Sequence, residues 1–141
     1  MVSQIKRFFQ SEAERFRVQI AILYGSWAGG FPRRDSDLDV AVVFDDEPDE
    51  ETLFQRLMDM SLLLSDLIGR DVNMIPIYPD FRKPMLYYNA IIQGMPVYAK
   101  QEETLTILRK KAIDEMEDFS IFGLQWQAEL ARKNLEALRH V

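Results

Sequence analysis

Leu23-Tyr-Gly-Ser-Trp-Ala-Gly-Gly-Phe-Pro-Arg-Arg-Asp-Ser-Asp-Leu-Asp-Val-Ala-Val-Val-Phe44 is the stretch whose reading decides the fold. An apolar run over 20–24 stops at Gly25-Ser26, and a loop with two more glycines, a proline and two arginines follows. Asp37 and Asp39 then open a second apolar run over 40–44. Apolar runs of this length bounded by turn residues suit buried strands, so the stretch reads as strand, glycine turn, loop, strand. Residues two apart on a strand share a face, so Asp37 and Asp39 project together, about 7 Å apart along the strand. Two carboxylates that close repel unless something positive lies between them. A hard divalent cation meets that need, and Mg2+ typically takes one or two protein carboxylates plus substrate phosphates. Gly25 lets a phosphate approach the backbone, and Ser26 adds a hydroxyl donor. A plain turn would not require the second aspartate inside the following strand, where a carboxylate is costly to bury.

Composition narrows the class. The chain has 141 residues, 48% of them hydrophobic, enough for one globular domain with its own core. A net charge of −6 and a pI of about 4.8 argue against a non-specific grip on nucleic acid or anionic membranes. A metal-bound nucleotide remains compatible, since the metal brings its own positive charge. There is no cysteine, hence no disulfide, cysteine metal site or cysteine nucleophile. His140, the single histidine, is next to the last residue and reads as a frayed end. No stretch approaches a membrane span and no secretory signal opens the sequence, so the expected location is cytoplasmic.

Outward from the central stretch, periodicity supplies the remaining elements. Residues 3–17 read as a helix with Ile5, Phe9, Ala13 and Phe16 on one stripe, and the capping-box spacing of Ser11 and Glu14 allows a break near Gln10. The branched residues of 18–24 favour a strand, and Gly25–Gly30 is expected to begin a short helix facing phosphate. Arg33 and Arg34 have two open readings: a clamp on a triphosphate oxygen, or exposed loop arginines paired with Asp35 or solvent. Ser36 shapes the turn into Asp37. The acidic run 45–51 with Pro48 suits a solvated helix start. A helix over 52–67 should bury Leu53, Leu57, Met60, Leu64 and Leu67, with Gly69 as its cap.

Residues 70–77 read as a third strand. Pro84 starts another helix, which runs to Gln93 and ends at Gly94. Tyr87 and Tyr88 on it are either core or lining for a nucleotide. A last strand over 95–99 holds Pro96, which suggests an edge position. Residues 101–141 are helical in character, with one stripe through Leu105, Leu108, Ala112, Met116 and Phe119 and another through Leu124, Ala128, Ala131, Leu135 and Leu138. Gly123 is the expected break between them, and the far stripe has two readings, self-packing or partner binding.

The ordered string Gly25-Ser26, ten residues, Asp37-Leu38-Asp39 resembles the signature of the DNA polymerase β-like nucleotidyltransferases. With Tyr24-Gly-Ser-Trp-Ala-Gly-Gly and Arg34-Asp-Ser-Asp-Leu-Asp39 in so short a chain, it is most similar to the minimal nucleotidyltransferases (MNT), which include MntA-like antitoxins of HEPN–MNT toxin–antitoxin pairs. The resemblance covers roughly residues 18–98. It implies an α+β nucleotidyltransferase fold: a small mixed sheet, helices mainly on one face, a core domain over 1–100 and a C-terminal helical extension over 101–141. It also implies Mg2+-dependent transfer of AMP from ATP to a tyrosine hydroxyl of a HEPN ribonuclease toxin. Asp37 and Asp39 would hold metal, and Gly25, Ser26, Arg34 and Ser36 would hold the nucleotide. Relatives usually carry a third carboxylate where this chain has Asn73, within Gly69-Arg-Asp-Val-Asn-Met-Ile75. An amide cannot take the proton of an attacking hydroxyl, although its carbonyl can still reach a metal. Asp71, two residues earlier on the same face, is the possible substitute. The alternative is therefore an antitoxin of this fold with weakened catalysis, neutralising its partner by binding.

Overall fold

The computed structural model describes residues 1–25 and 37–139, and for 121, 122 and 139 the backbone alone. Its order is α1 (Val2–Phe16), β1 (Val18–Tyr24), β2 (Leu38–Phe44), α2 (Glu50–Ile68), β3 (Val72–Pro76), α3 (Pro84–Gln93), β4 (Met95–Ala99) and α4 (Glu102–Arg139). The four strands form one mixed sheet in the order β3-β2-β1-β4. β1 runs antiparallel to both β2 and β4, and β2 runs parallel to β3 through the α2 crossover.

Alternation along the strands decides what each face buries. Ala21, Leu23, Leu38, Val40, Val42, Val72 and Met74 point to one side and pack with Ile5, Phe9, Met60 and Leu64 of α1 and α2. Ile20, Ile22 and Ala41 point to the other and pack with Tyr87 and Ile91 of α3 and Leu105 and Ala112 of α4. Each large aliphatic or phenylalanine side chain fully buried in this way stabilises the fold by roughly 1.5–3 kcal/mol. The α+β class is as the sequence implies, but the helices divide over both faces instead of sitting mainly on one. The cause is that β1 is apolar on both its faces and so needs cover twice.

Four local expectations change. α1 runs unbroken through Gln10, because the Ser11 hydroxyl donates back to the Phe8 carbonyl (3.1 Å) rather than capping a new turn. α2 starts at Glu50 beyond Pro48, with the Asp49 carboxylate accepting from the Thr52 N–H (2.7 Å), and Gly69 closes it with φ +69°. Leu67 on its last turn is 48% exposed, and Ile68 beside it packs against the core instead. α4 is one helix of 38 residues, continuous through Gly123. A single glycine weakens a helix by only about 1 kcal/mol, which the anchored proximal turns absorb. Pro84 at the start of α3 and Pro96 on edge strand β4 sit as expected. Among the described residues no helix is long and apolar enough to cross a membrane.

Candidate functional site

The hairpin register brings the site together. Tyr24 pairs with Asp39 across β1 and β2, and Asp39 pairs with Asn73 across β2 and β3. Asp37 immediately precedes β2 and Asp71 immediately precedes β3, where the Asp71 carbonyl accepts from the Leu38 N–H (2.9 Å). Leu38, Val40, Val72 and Met74 are buried towards α1 and α2. By alternation Asp37, Asp39, Asp71 and Asn73 therefore share the opposite face at one end of the sheet.

Edge strand β3 is held in that register by α2. The Ser61 hydroxyl donates to the Val72 carbonyl (2.6 Å), and the Val72 N–H donates to the Ser65 hydroxyl (3.2 Å). Asn73 follows directly and donates its amide Nδ2 to Oδ1 of Asp39 at 3.3 Å. The other carboxylate oxygen of Asp39 faces Gly25. A Cβ on Gly25 would stand 2.6 Å from Oδ2 of Asp39, and the glycine has φ +78°, so both space and backbone exclude a side chain there.

Electrostatics mark the same spot. Burial raises the Asp39 carboxyl above its ordinary value, the amide of Asn73 pulls it back, and the negative charge of Asp37 raises it further. Tyr24 is pushed up to about 12, first by burial and then by the Asp39 carboxylate beside it. A carboxylate in that state gains from a cation that offsets both its burial and its neighbour. The donors are hard oxygens, and one or two carboxylates completed by phosphates and water suit Mg2+. Among the described residues no cluster of three or more acidic, histidine or cysteine side chains is arranged for a metal, so the ligand itself would have to complete the shell.

Of the sequence-predicted residues, the structure brings Gly25, Asp39 and Asn73 into direct proximity and places Asp37 at the mouth of the same face. Ser26, Arg33, Arg34 and Ser36, with the expected short helix after Gly25, lie outside the described residues. Tyr87 is core, 1% exposed against Phe81, and does not line this site. Tyr24 escaped the sequence reading. Its signal was its place before Gly25, but its pairing with Asp39 depends on a register that the loop between them conceals. A separate cavity of about 600 Å³ opens at the far end of β2, lined by Phe44, Asp46, Tyr78, Phe81, Arg82 and Lys111. It lies about 17 Å along the strand from Asp39 by the rise per residue.

Comparison with known proteins gives the family and the fold. The family described as polymerase beta, nucleotidyltransferase, matches residues 3–103, most of the chain. The chain belongs to the polymerase β nucleotidyltransferase family. No curated protein matches the sequence. Among solved structures, a toxin–antitoxin crystal structure with AMP-PNP superposes with TM-score 0.70 at 18% identity, covering 92% of this chain and 97% of that one. A chain from the tri-AMPylated Shewanella oneidensis HEPN toxin in complex with MNT antitoxin gives TM-score 0.64 at 15% identity, over 92% and 98%. A MntA–HepT toxin–antitoxin structure gives TM-score 0.64 at 15% identity, over 92% and 95%. At these identities the likeness is one of fold. The chain therefore shares its fold with chains of toxin–antitoxin assemblies over about nine-tenths of its length.

Proposed function

We propose that the chain is a Mg2+-dependent nucleotidyltransferase antitoxin that moves AMP from ATP to a tyrosine hydroxyl of a HEPN ribonuclease toxin in the cytoplasm. The observation that carries this reading is the close approach of Gly25 to Asp39, with Asp37 on the same face, inside a nucleotidyltransferase domain. In the reaction the acceptor oxygen forms a bond to the α-phosphorus, the bond to the bridging oxygen of the β-phosphate breaks, and pyrophosphate leaves. Asp37 and Asp39 would hold the cation, which supplies charge neutralisation for the attacking and leaving oxygens. Gly25 gives the phosphates room at the backbone, and Ser26, Arg34 and Ser36 are the further nucleotide contacts proposed. The acceptor proton passes to a carboxylate of this face or to water, because the Asn73 amide cannot take it. The family match, which stops at residue 103 just inside α4, supports a division of labour. The core over 1–100 carries the chemistry, and the extension over 101–141 carries protein contacts.

One observation favours a second reading. Asn73 donates to Asp39 where relatives usually have a third carboxylate, an arrangement that suits a binding antitoxin with little transfer of its own. ATP labelled on its α-phosphate, with Mg2+ and the co-purified toxin, separates the two. Metal-dependent label on the toxin, absent with Asp37→Ala, is the expected result. No label, with the toxin still bound and inhibited by both proteins, would overturn transfer and leave neutralisation by binding.

A further inference from the structure

The distal half of α4 carries Leu124, Ala128, Ala131, Leu135 and Leu138 at spacings of four, three, four and three residues. That alternation is the 3.5-residue repeat of a coiled-coil seam. The three leucines are 67%, 61% and 72% exposed. The proximal half is anchored differently, through the buried Leu105 and Ala112. At about 100° per residue, that anchoring stripe continues along the helix as Phe119, Trp126 and Leu130. The leucine–alanine seam lies about 130° round from it, so the two stripes face different neighbours.

The geometry points to a second copy of this chain as the occupant of the seam, paired antiparallel. In that arrangement Leu124 faces Leu135 of the partner subunit and Ala128 faces Ala131 of the partner subunit. Leucine layers then flank a central pair of alanine layers, whose small side chains let the backbones come close. At the flanking positions Gln125 comes opposite Arg132 of the partner subunit, and Gln127 opposite Asn134 of the partner subunit. No like charges meet there. Arg132 is held along its own helix by Glu129 and Glu136, which keeps that flank in place.

Charge selects the orientation. Residues 120–138 hold two acids and two bases and are neutral, whereas residues 102–118 hold six acids and three bases in a chain of net charge −6. Antiparallel pairing sends the acidic proximal halves and their sheets to opposite ends; parallel pairing would press them side by side. α4 is already helical and anchored, so association does not have to nucleate it. This pairing does not depend on nucleotide transfer.

Sedimentation equilibrium on the full chain alone, over a concentration series, tests it. The mass should rise towards twice the 16.5 kDa of one chain. Leu124→Asp with Leu135→Asp should return it to one chain with an unchanged circular dichroism spectrum, and Trp126→Asp should leave the dimer intact. Orientation is read by cross-linking, since the chain has no cysteine of its own. Leu124→Cys and Leu135→Cys proteins should form a disulfide only when mixed, because in antiparallel pairing like positions lie about 16 Å apart along the axis, beyond the ~7 Å limit for a disulfide. A single-chain mass at every concentration, each cysteine variant cross-linking to itself, or dimer loss only with Trp126→Asp would each overturn the proposal. A monomer whose seam variant loses only its hold on a toxin would assign the surface to the toxin instead.

Discussion

β2 has a pair of acids beyond or at each of its ends, and the fold treats the two pairs in opposite ways. At the C-terminal end Asp45 and Asp46 meet cations. Arg17 reaches Asp45 at 3.0 Å and Asp46 at 3.6 Å, and Lys100 reaches Asp45 at 3.8 Å. Arg56 grips Asp46 with both terminal guanidinium nitrogens, at 2.8 and 2.9 Å. That grip holds the Asp46 carboxyl below its ordinary value. At the N-terminal end Asp39 meets an amide and a second carboxylate, and burial with Asp37 holds it above its ordinary value. One pair ties α1, α2 and β4 to the strand end. The other is arranged to gain from a positive ligand, and that difference separates an acid pair with a structural role from the pair proposed to hold metal.

The largest expected effect falls on the end proposed to hold metal. Asp39→Ala should lower metal-dependent label transfer by about 100-fold or more, the order lost when a group that offsets transition-state charge is removed. The same variant should keep or slightly raise the melting temperature without metal, because it removes a partly buried, repelled charge. A protein that melts much lower while still transferring label would show that Asp39 is a structural acid like Asp46.

The next effect concerns the amide between the strands. Asn73→Asp replaces a donor to Asp39 with a third carboxylate on the same face. Calorimetric titration should show Mg2+ with nucleotide binding about ten-fold more tightly, since affinity rises with ligand charge. Transfer should rise with it, as a carboxylate can also accept the acceptor proton. In the metal-free state this variant should melt lower than the parent, because three carboxylates then repel at one sheet end. Unchanged binding and transfer would mean that Asn73 does not limit the site and that Asp71 or solvent takes the proton.

The sequence carries one half of this contrast more plainly than the other. Gly25, Asp37 and Asp39 were legible because strand alternation and a glycine before a loop are local facts. The strands and most helix boundaries were legible for the same reason. The acidic run 45–51 read only as a solvated helix start. Arg17 caps α1, Arg56 sits on α2 and Lys100 follows β4, and their convergence is a product of sheet order. Tyr24 beside Asp39 and Ser61 with Ser65 beneath β3 were hidden likewise, since each depends on register or on a helix packing across the sheet. The two-sided burial of β1 was present in its apolar run, yet that run does not state how many helices will cover it.

A smaller effect belongs to the structural pair. Asp46→Ala leaves the half-buried Arg56 without its bidentate partner and should cost about 1–2 kcal/mol after allowance for solvent. For a chain of this length that is roughly a 3–6 °C fall in melting temperature. Mg2+ and nucleotide binding should stay as in the parent. A loss of binding without a loss of stability would join the two ends of β2 into one functional unit and remove the contrast.

The smallest effect is in the pH dependence of stability, where the two ends have opposite signs. A carboxyl lowered in the fold, as at Asp46, stabilises above its unfolded value, and that contribution disappears as pH falls through the folded value. A carboxyl raised in the fold, as at Asp39, holds its proton more tightly folded than unfolded. Stability then falls as pH rises from the unfolded value of 3.8 through the folded value above it. Metal-free Asp39→Asn should therefore melt above the parent at neutral pH, with the gap closing as pH drops through that window. Asp39 is partly solvated, so the gap should stay within about 0.5 kcal/mol. Melting curves of parent and variant without metal from neutral pH downwards measure it, and a gap that widened towards acid would place Asp39 with the paired acids.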